Sequence, residues 1–139
     1  MTKTKVNITT ISGFDVIDLN DLKKGSVVMS NVVIRAAQTL SLVEKRVLMA
    51  AVSKMKDRTV ELSATEYAET YGIELNKSYQ HLKSAVNNLF ERYLTVNIKD
   101  GKHTGIMRIR WVSAIRYVDG LGKVEIGFSH EIMPQLANL

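Results

Sequence analysis

The hydrophobic period of this chain changes once, and abruptly, near Tyr93. Upstream, Tyr79, Leu82, Val86, Leu89, Phe90 and Tyr93 recur every three or four residues, so one apolar stripe follows a helix from Lys77 to about Arg92. Downstream, Leu94, Val96 and Ile98 alternate with Thr95, Asn97 and Lys99, the two-residue period of a half-buried strand. Asp100-Gly101 then reads as a hairpin turn. A long amphipathic helix running directly into a β-ribbon leaves few folds open, because both apolar faces must close over one core.

The segment before this helix reads as mostly helical. Val32, Val33, Ala36, Ala37 and Leu40 fall at helical spacing from Ser30 onward. Ser41-Leu42-Val43-Glu44 has the form of a capping box, and the helix it opens is expected to bury Leu42, Val43, Val47, Leu48, Ala50, Ala51 and Met55. Thr59 to Leu62 is a short strand with β-branched Thr59 and Val60. A second box, Ser63-Ala64-Thr65-Glu66, starts a helix of about two turns that ends at Gly72 as a left-handed C-cap. Asn76 is the expected N-cap of the long helix.

After the turn, the return strand sets Met107, Ile109, Trp111, Ile115 and Tyr117 on one face and Arg108, Arg110 and Arg116 on the other. Asp119-Gly120 and Gly122 mark another turn, and Val124, Ile126 and Phe128 form a third strand with Lys123 and Glu125 outward. Ser129 can cap a terminal helix, Glu131 to Leu139, with Pro134 near its first turn. Residues 1 to 28 read as an irregular arm with a Gly13 break and a short strand at Val6 to Ile11; residues 29 to 139 form one domain.

A short helix and a longer one joined by a brief turn make a helix-turn-helix, and the basic hairpin after them supplies a wing. The expected fold is α+β, a winged helix with about five helices and a three- to four-stranded antiparallel sheet. The second helix is the natural element to approach a DNA groove.

Charge placement points the same way. Between Lys77 and Arg116 there are eight basic residues and two acidic ones, so this segment carries +6 while the whole chain carries +5. Such a concentration is the footprint of a polyanion-binding surface, although a solvated basic face has the same composition. The candidate DNA contacts are Lys77, Ser78, His81, Lys83 and Ser84 on the helix, Lys99, Lys102 and His103 at the hairpin tip, and Arg108 and Arg110 on the return strand. Three like charges at Arg108, Arg110 and Arg116 repel unless something negative faces them, and Glu125 can serve in part.

Other chemistries lack residues. The chain has no cysteine, which excludes disulfides and thiolate metal sites. His81, His103 and His130 are the only histidines, and they give a zinc site little support. Gly120-Leu121-Gly122 lies between strands and lacks the lysine–hydroxyl pair of a nucleotide-binding loop. Acidic residues are scattered, so no enzyme active site, cofactor or metal is expected. No apolar stretch is long enough to span a bilayer and the first residues are too polar for a signal peptide, which suggests a cytoplasmic protein without a membrane partner.

The strings Ser30-Asn31, Ala36-Ala37, Leu40-Ser41 and Glu44-Lys45-Arg46-Val47-Leu48, together with Tyr67-Ala68-Glu69-Thr70-Tyr71-Gly72-Ile73, carry a resemblance from Met29 to Leu139. In these the chain resembles the first winged-helix domain of iteron-binding plasmid replication initiators. The resemblance implies a tandem second domain that reads the repeat, and a first domain that dimerises and touches the DNA backbone. It implies that monomers bind origin repeats and dimers repress the initiator's own promoter. The implied partners are double-stranded DNA (origin repeats and operator), a second copy of the chain, and host replication proteins. The helix Lys77 to Arg92 and its wing become the places for phosphate contact, and the strand edges and the Ser30 to Leu40 helix the places for self-association. Two other readings share the fold: a module that only dimerises, and a stand-alone winged-helix transcription regulator.

Overall fold

In a computed structural model, residues 8–10, 16–24 and 26–139 are described. Strand β1 (Ile8–Thr10) falls inside the expected strand, and the Gly13 break lies outside the described residues. The segment read as irregular contains β2 (Ile17–Asp18) and a six-residue helix, α1 (Leu19–Lys24). The Asp18 carboxylate accepts from the Asn20 backbone N–H at 2.9 Å, and Lys23 and Lys24 occupy the last turn, where cations suit the helix dipole. So short a helix shows no readable period.

The next helix, α2 (Ser26–Gln38), begins four residues earlier than the periodicity placed it, so it crosses the boundary expected between arm and domain. Its Val32, Val33 and Ala36 are fully buried. Helix α3 (Leu42–Lys54) opens on the expected box: the Ser41 hydroxyl accepts from Glu44 N–H, and the Glu44 carboxylate accepts from Ser41 N–H at 2.9 Å. Glu44 is itself buried, and Arg92 satisfies it with a guanidinium contact of 3.1 Å. The pair fixes the start of α3 against the end of the long helix. Leu42, expected inside, is exposed, because as the first helical residue it precedes the buried Val47, Leu48 and Ala51 stripe.

Strand β3 (Thr59–Ser63) leads into α4 (Ala64–Tyr71). Ser63 accepts from Glu66 N–H, but the Glu66 carboxylate pairs with Lys54 rather than closing a second box. Gly72 ends α4 with φ 67°, as a left-handed cap requires. The long helix α5 spans Leu75–Glu91, with Glu74 rather than Asn76 at its N-cap and no side-chain capping bond there.

Two sheets follow. In the first, β4 (Tyr93–Asp100) pairs antiparallel with β5 (His103–Arg110), and its other edge takes β1 and β2 in parallel. In the second, the order is β3–β7–β6, all antiparallel, with β6 Val112–Tyr117 and β7 Lys123–Phe128. The return strand is therefore not continuous. Trp111 and Val112 are consecutive and both fully buried, which a single strand facing one core cannot achieve, so the chain turns between them and changes sheet. Arg116 accordingly leaves the face of Arg108 and Arg110.

The core joins both sheets to the helices through Trp111, Phe128, Leu82, Leu89, Leu94 and Ile126. Full burial of each such side chain contributes about 1.5–3 kcal/mol over exposure. The terminal helix is a 3-10 segment, Met133–Asn138, not an α-helix starting at Glu131. Ser129 caps the turn before it by accepting from Ile132 N–H, and Ser30 of α2 holds it through Gln135 and Asn138.

Candidate nucleic-acid interface

The β4–β5 ribbon separates its residues by face. Leu94 with Ile109, and Val96 with Met107, turn to the core. Tyr93 with Arg110, Thr95 with Arg108, Asn97 with Ile106, and Lys99 with Thr104 occupy the opposite face. The loop is Gly101-Lys102, with Gly101 at φ 63°, and Asp100 faces His103 across it. Lys99, Lys102, His103, Arg108 and Arg110 are all exposed. Among the described residues, none of these four lysines and arginines has a carboxylate partner.

The mutual repulsion of Arg108 and Arg110 is relieved by an aromatic ring. Their guanidinium carbons lie 5.2 and 5.8 Å from the centroid of Tyr93. Arg110 also donates to the Phe90 carbonyl at 2.8 Å, which anchors the ribbon to the end of α5. Tyr93 ends the apolar stripe that the sequence predicts for the helix; its place under two cations follows from the hairpin register, which pairs it with Arg110. Arg116 instead meets Glu125 across the second sheet with two hydrogen bonds of 3.1 Å.

Helix α5 presents a different picture. Ser78 is fully buried and its hydroxyl donates to the Leu75 carbonyl at 2.8 Å, so its donor is spent within its own helix. It sits four residues before Leu82 and seven before Ala85, on the apolar stripe itself. Lys77 is exposed and paired with Glu74 at 3.1 Å, a solvated contact that competes weakly with other anions. His81 and Ser84 border a shallow cleft of about 340 Å³ shared with Ser41 and Glu44 of α3. Lys83 lies two residues past His81, roughly 200° around the helix, and so on another flank. There it bonds Asp119 at 3.1 Å. That contact raises the pKa of Lys83 and lowers that of Asp119, in each case chiefly through their hydrogen bond.

The expected contacts are thus divided: the hairpin residues share the ribbon, His81 and Ser84 border one cleft, Lys83 lies on another flank, and Ser78 is buried. The hairpin tip stands about 23 Å along the ribbon from the end of α5 at ~3.3 Å per residue. Among the described residues, no group of three or more His, Asp or Glu converges as metal ligands would, and no helix is long and apolar enough to cross a membrane.

A helix-turn-helix followed by a basic ribbon is the arrangement of a winged helix, and the family described as initiator replication protein, WH1, matches residues 26–139. The chain belongs to that family. This WH1 domain is similar to the crystal structure of the MSBI1.176 WH1 domain, a replication protein isolated from a multiple sclerosis patient. The two share 27% identity over 82% of this chain and 94% of that one, with a TM-score of 0.68. The fold is shared with a Pi initiator protein solved in complex with iteron DNA, at 17% identity and a TM-score of 0.57. That match covers 73% of this chain and 45% of the Pi chain. Comparison with curated proteins gives no match.

Proposed function

We propose that this WH1 domain binds double-stranded DNA for a plasmid replication initiator, and that the β4–β5 ribbon supplies its phosphate contacts. The observation that carries this reading is the ribbon's set of exposed cations, Lys99, Lys102, Arg108 and Arg110, which have no carboxylate partner among the described residues. The iteron complex of the Pi initiator, a protein of the same fold, supports it. Lys77 and Lys83 contribute less, since each already faces a carboxylate.

Each phosphate neutralised releases condensed counterion, so affinity must fall with salt. Anisotropy of a labelled duplex, titrated across salt concentrations, tests this. Replacing Lys99, Lys102 and Arg108 together with alanine is expected to make the log–log salt slope shallower by about 2.7, at ~0.9 per contact. The loss is expected to be similar on origin-repeat and random duplexes, as backbone contacts carry no sequence information. An unchanged slope removes the ribbon from the interface.

A second reading rests on the outer edge of β5, which has no strand beside it among the described residues and exposes Ile106 at 52%. Such an edge pairs readily with another strand. We infer that it joins two copies of the chain, with the monomer engaging origin repeats and the dimer occupying the initiator's own promoter.

A further inference from the structure

The turn between β6 and β7 reaches back onto α5. Asp119 Oδ1 accepts from Lys83 Nζ at 3.1 Å and from the Tyr79 hydroxyl at 3.0 Å. The Lys83 ammonium also lies 4.6 Å from the ring centroid of Tyr117 and 6.0 Å from that of Tyr79. Three groups therefore hold this cation on one flank of the helix. The Lys83 side chain keeps 24% exposure, while Asp119 is 74% exposed and faces water. The turn is closed by Leu121 N–H donating to the Val118 carbonyl at 3.2 Å, and Gly120, at φ 98°, gives it a backbone shape that L side chains rarely adopt.

To an ammonium, a carboxylate oxygen and a phosphate oxygen are equivalent acceptors. An anion of the protein bonded to Lys83 therefore occupies the position a DNA phosphate would take. It also adds repulsion against any phosphate that approaches. Among the described residues the ribbon cations meet no such carboxylate, so the two basic surfaces are not equally available.

We propose that Asp119 is a built-in competitor for DNA phosphate on α5, holding Lys83 out of the interface and setting the affinity of the domain for duplex below what its charge allows. This inference rests on the DNA-binding reading above. Its test is a double-mutant cycle of D119N and K83A in the full chain, read by anisotropy of a labelled duplex over a salt titration, with thermal melting to confirm folding.

D119N is expected to bind more tightly and to gain one phosphate contact. The salt slope then steepens by about 0.9, an extra loss of affinity of about 3.5-fold between 50 and 200 mM salt. K83A alone is expected to leave the slope unchanged, and K83A added to D119N to abolish the gain. If K83A costs the same in both backgrounds, Asp119 acts only through its distant charge and the inference is overturned. Wild-type binding with an unaltered D119N variant overturns it as well, while leaving the DNA-binding reading intact. Failure of both the wild type and D119N to bind duplex at low salt ends that reading and this inference together.

Discussion

The hydroxyl of Ser78 donates to the Leu75 carbonyl inside the first turns of α5, and no part of the residue reaches solvent. A serine in this position spends its donor on its own helix, as hydroxyl side chains within helices commonly do. Ser78→Ala removes a bond whose acceptor belongs to the same turn, and the methyl side chain fits the apolar stripe. Duplex affinity is expected to stay within twofold, and urea unfolding to shift by less than about 1 kcal/mol. A larger loss of affinity would place Ser78 in the interface despite its burial. Lys83 and Arg108 make the complementary point. Both are cations beside tyrosine rings, yet Lys83 has a carboxylate in its grasp and Arg108 has none among the described residues. Residue type and helical position could not distinguish them, because Asp119 lies 36 residues from Lys83 in the chain.

At the scale of elements, the ribbon depends on its two-residue loop. Gly101 holds φ 63°, and a Cβ built there meets nothing within 4 Å, so the barrier to substitution is in the backbone alone. Gly101→Ala is expected to cost about 1 kcal/mol in urea unfolding, from left-handed strain without any steric clash. A null effect would mean that the loop relaxes into another turn. This ribbon was the most legible part of the sequence, since the alternation Leu94, Val96, Ile98 fixes which residues face out, while the loop falls at Gly101-Lys102, one residue past the Asp100-Gly101 turn signal, and sets the register. The capping box at Ser41 and the left-handed Gly72 were equally readable, because each is a local bond pattern. What could not be read was non-local. Arg116 shares a strand period with Arg108 and Arg110, but the burial of Trp111 and Val112 carries it into the other sheet. The start of α5 also differs from the expected cap. Asn76 is a better intrinsic cap than Glu74, yet the helix starts at Leu75, where the Glu74 carbonyl accepts from Lys77 N–H at 3.0 Å and no side chain caps it. The parallel pairing of β1 and β2 with β4 links residues 85 apart (Ile8 with Tyr93) and 81 apart (Ile17 with Ile98), a closure that no local pattern announces.

For the whole molecule, the question is how a domain with an exposed strand meets its own kind. If two copies join through β5, Ile106 lies where a cross-strand neighbour would pack. Ile106→Lys is expected to weaken self-association by about tenfold or more in sedimentation equilibrium, since charges on an edge discourage pairing. Duplex affinity of the separated monomer should hold or rise, because the substitution adds a positive charge to the ribbon face. Wild-type chain that sediments as a monomer at high concentration would discard the edge as a contact. The opposite flank of this sheet has a different fate. Strands β1 and β2 already lie along β4 at Tyr93–Thr95 and Ile98–Lys99. On that flank the sheet ends in strands of only three and two residues, a poor template for another chain, so growth past two molecules into a fibre is disfavoured. Whatever loosens the amino-terminal strands would uncover a second attachment point and lift that ceiling.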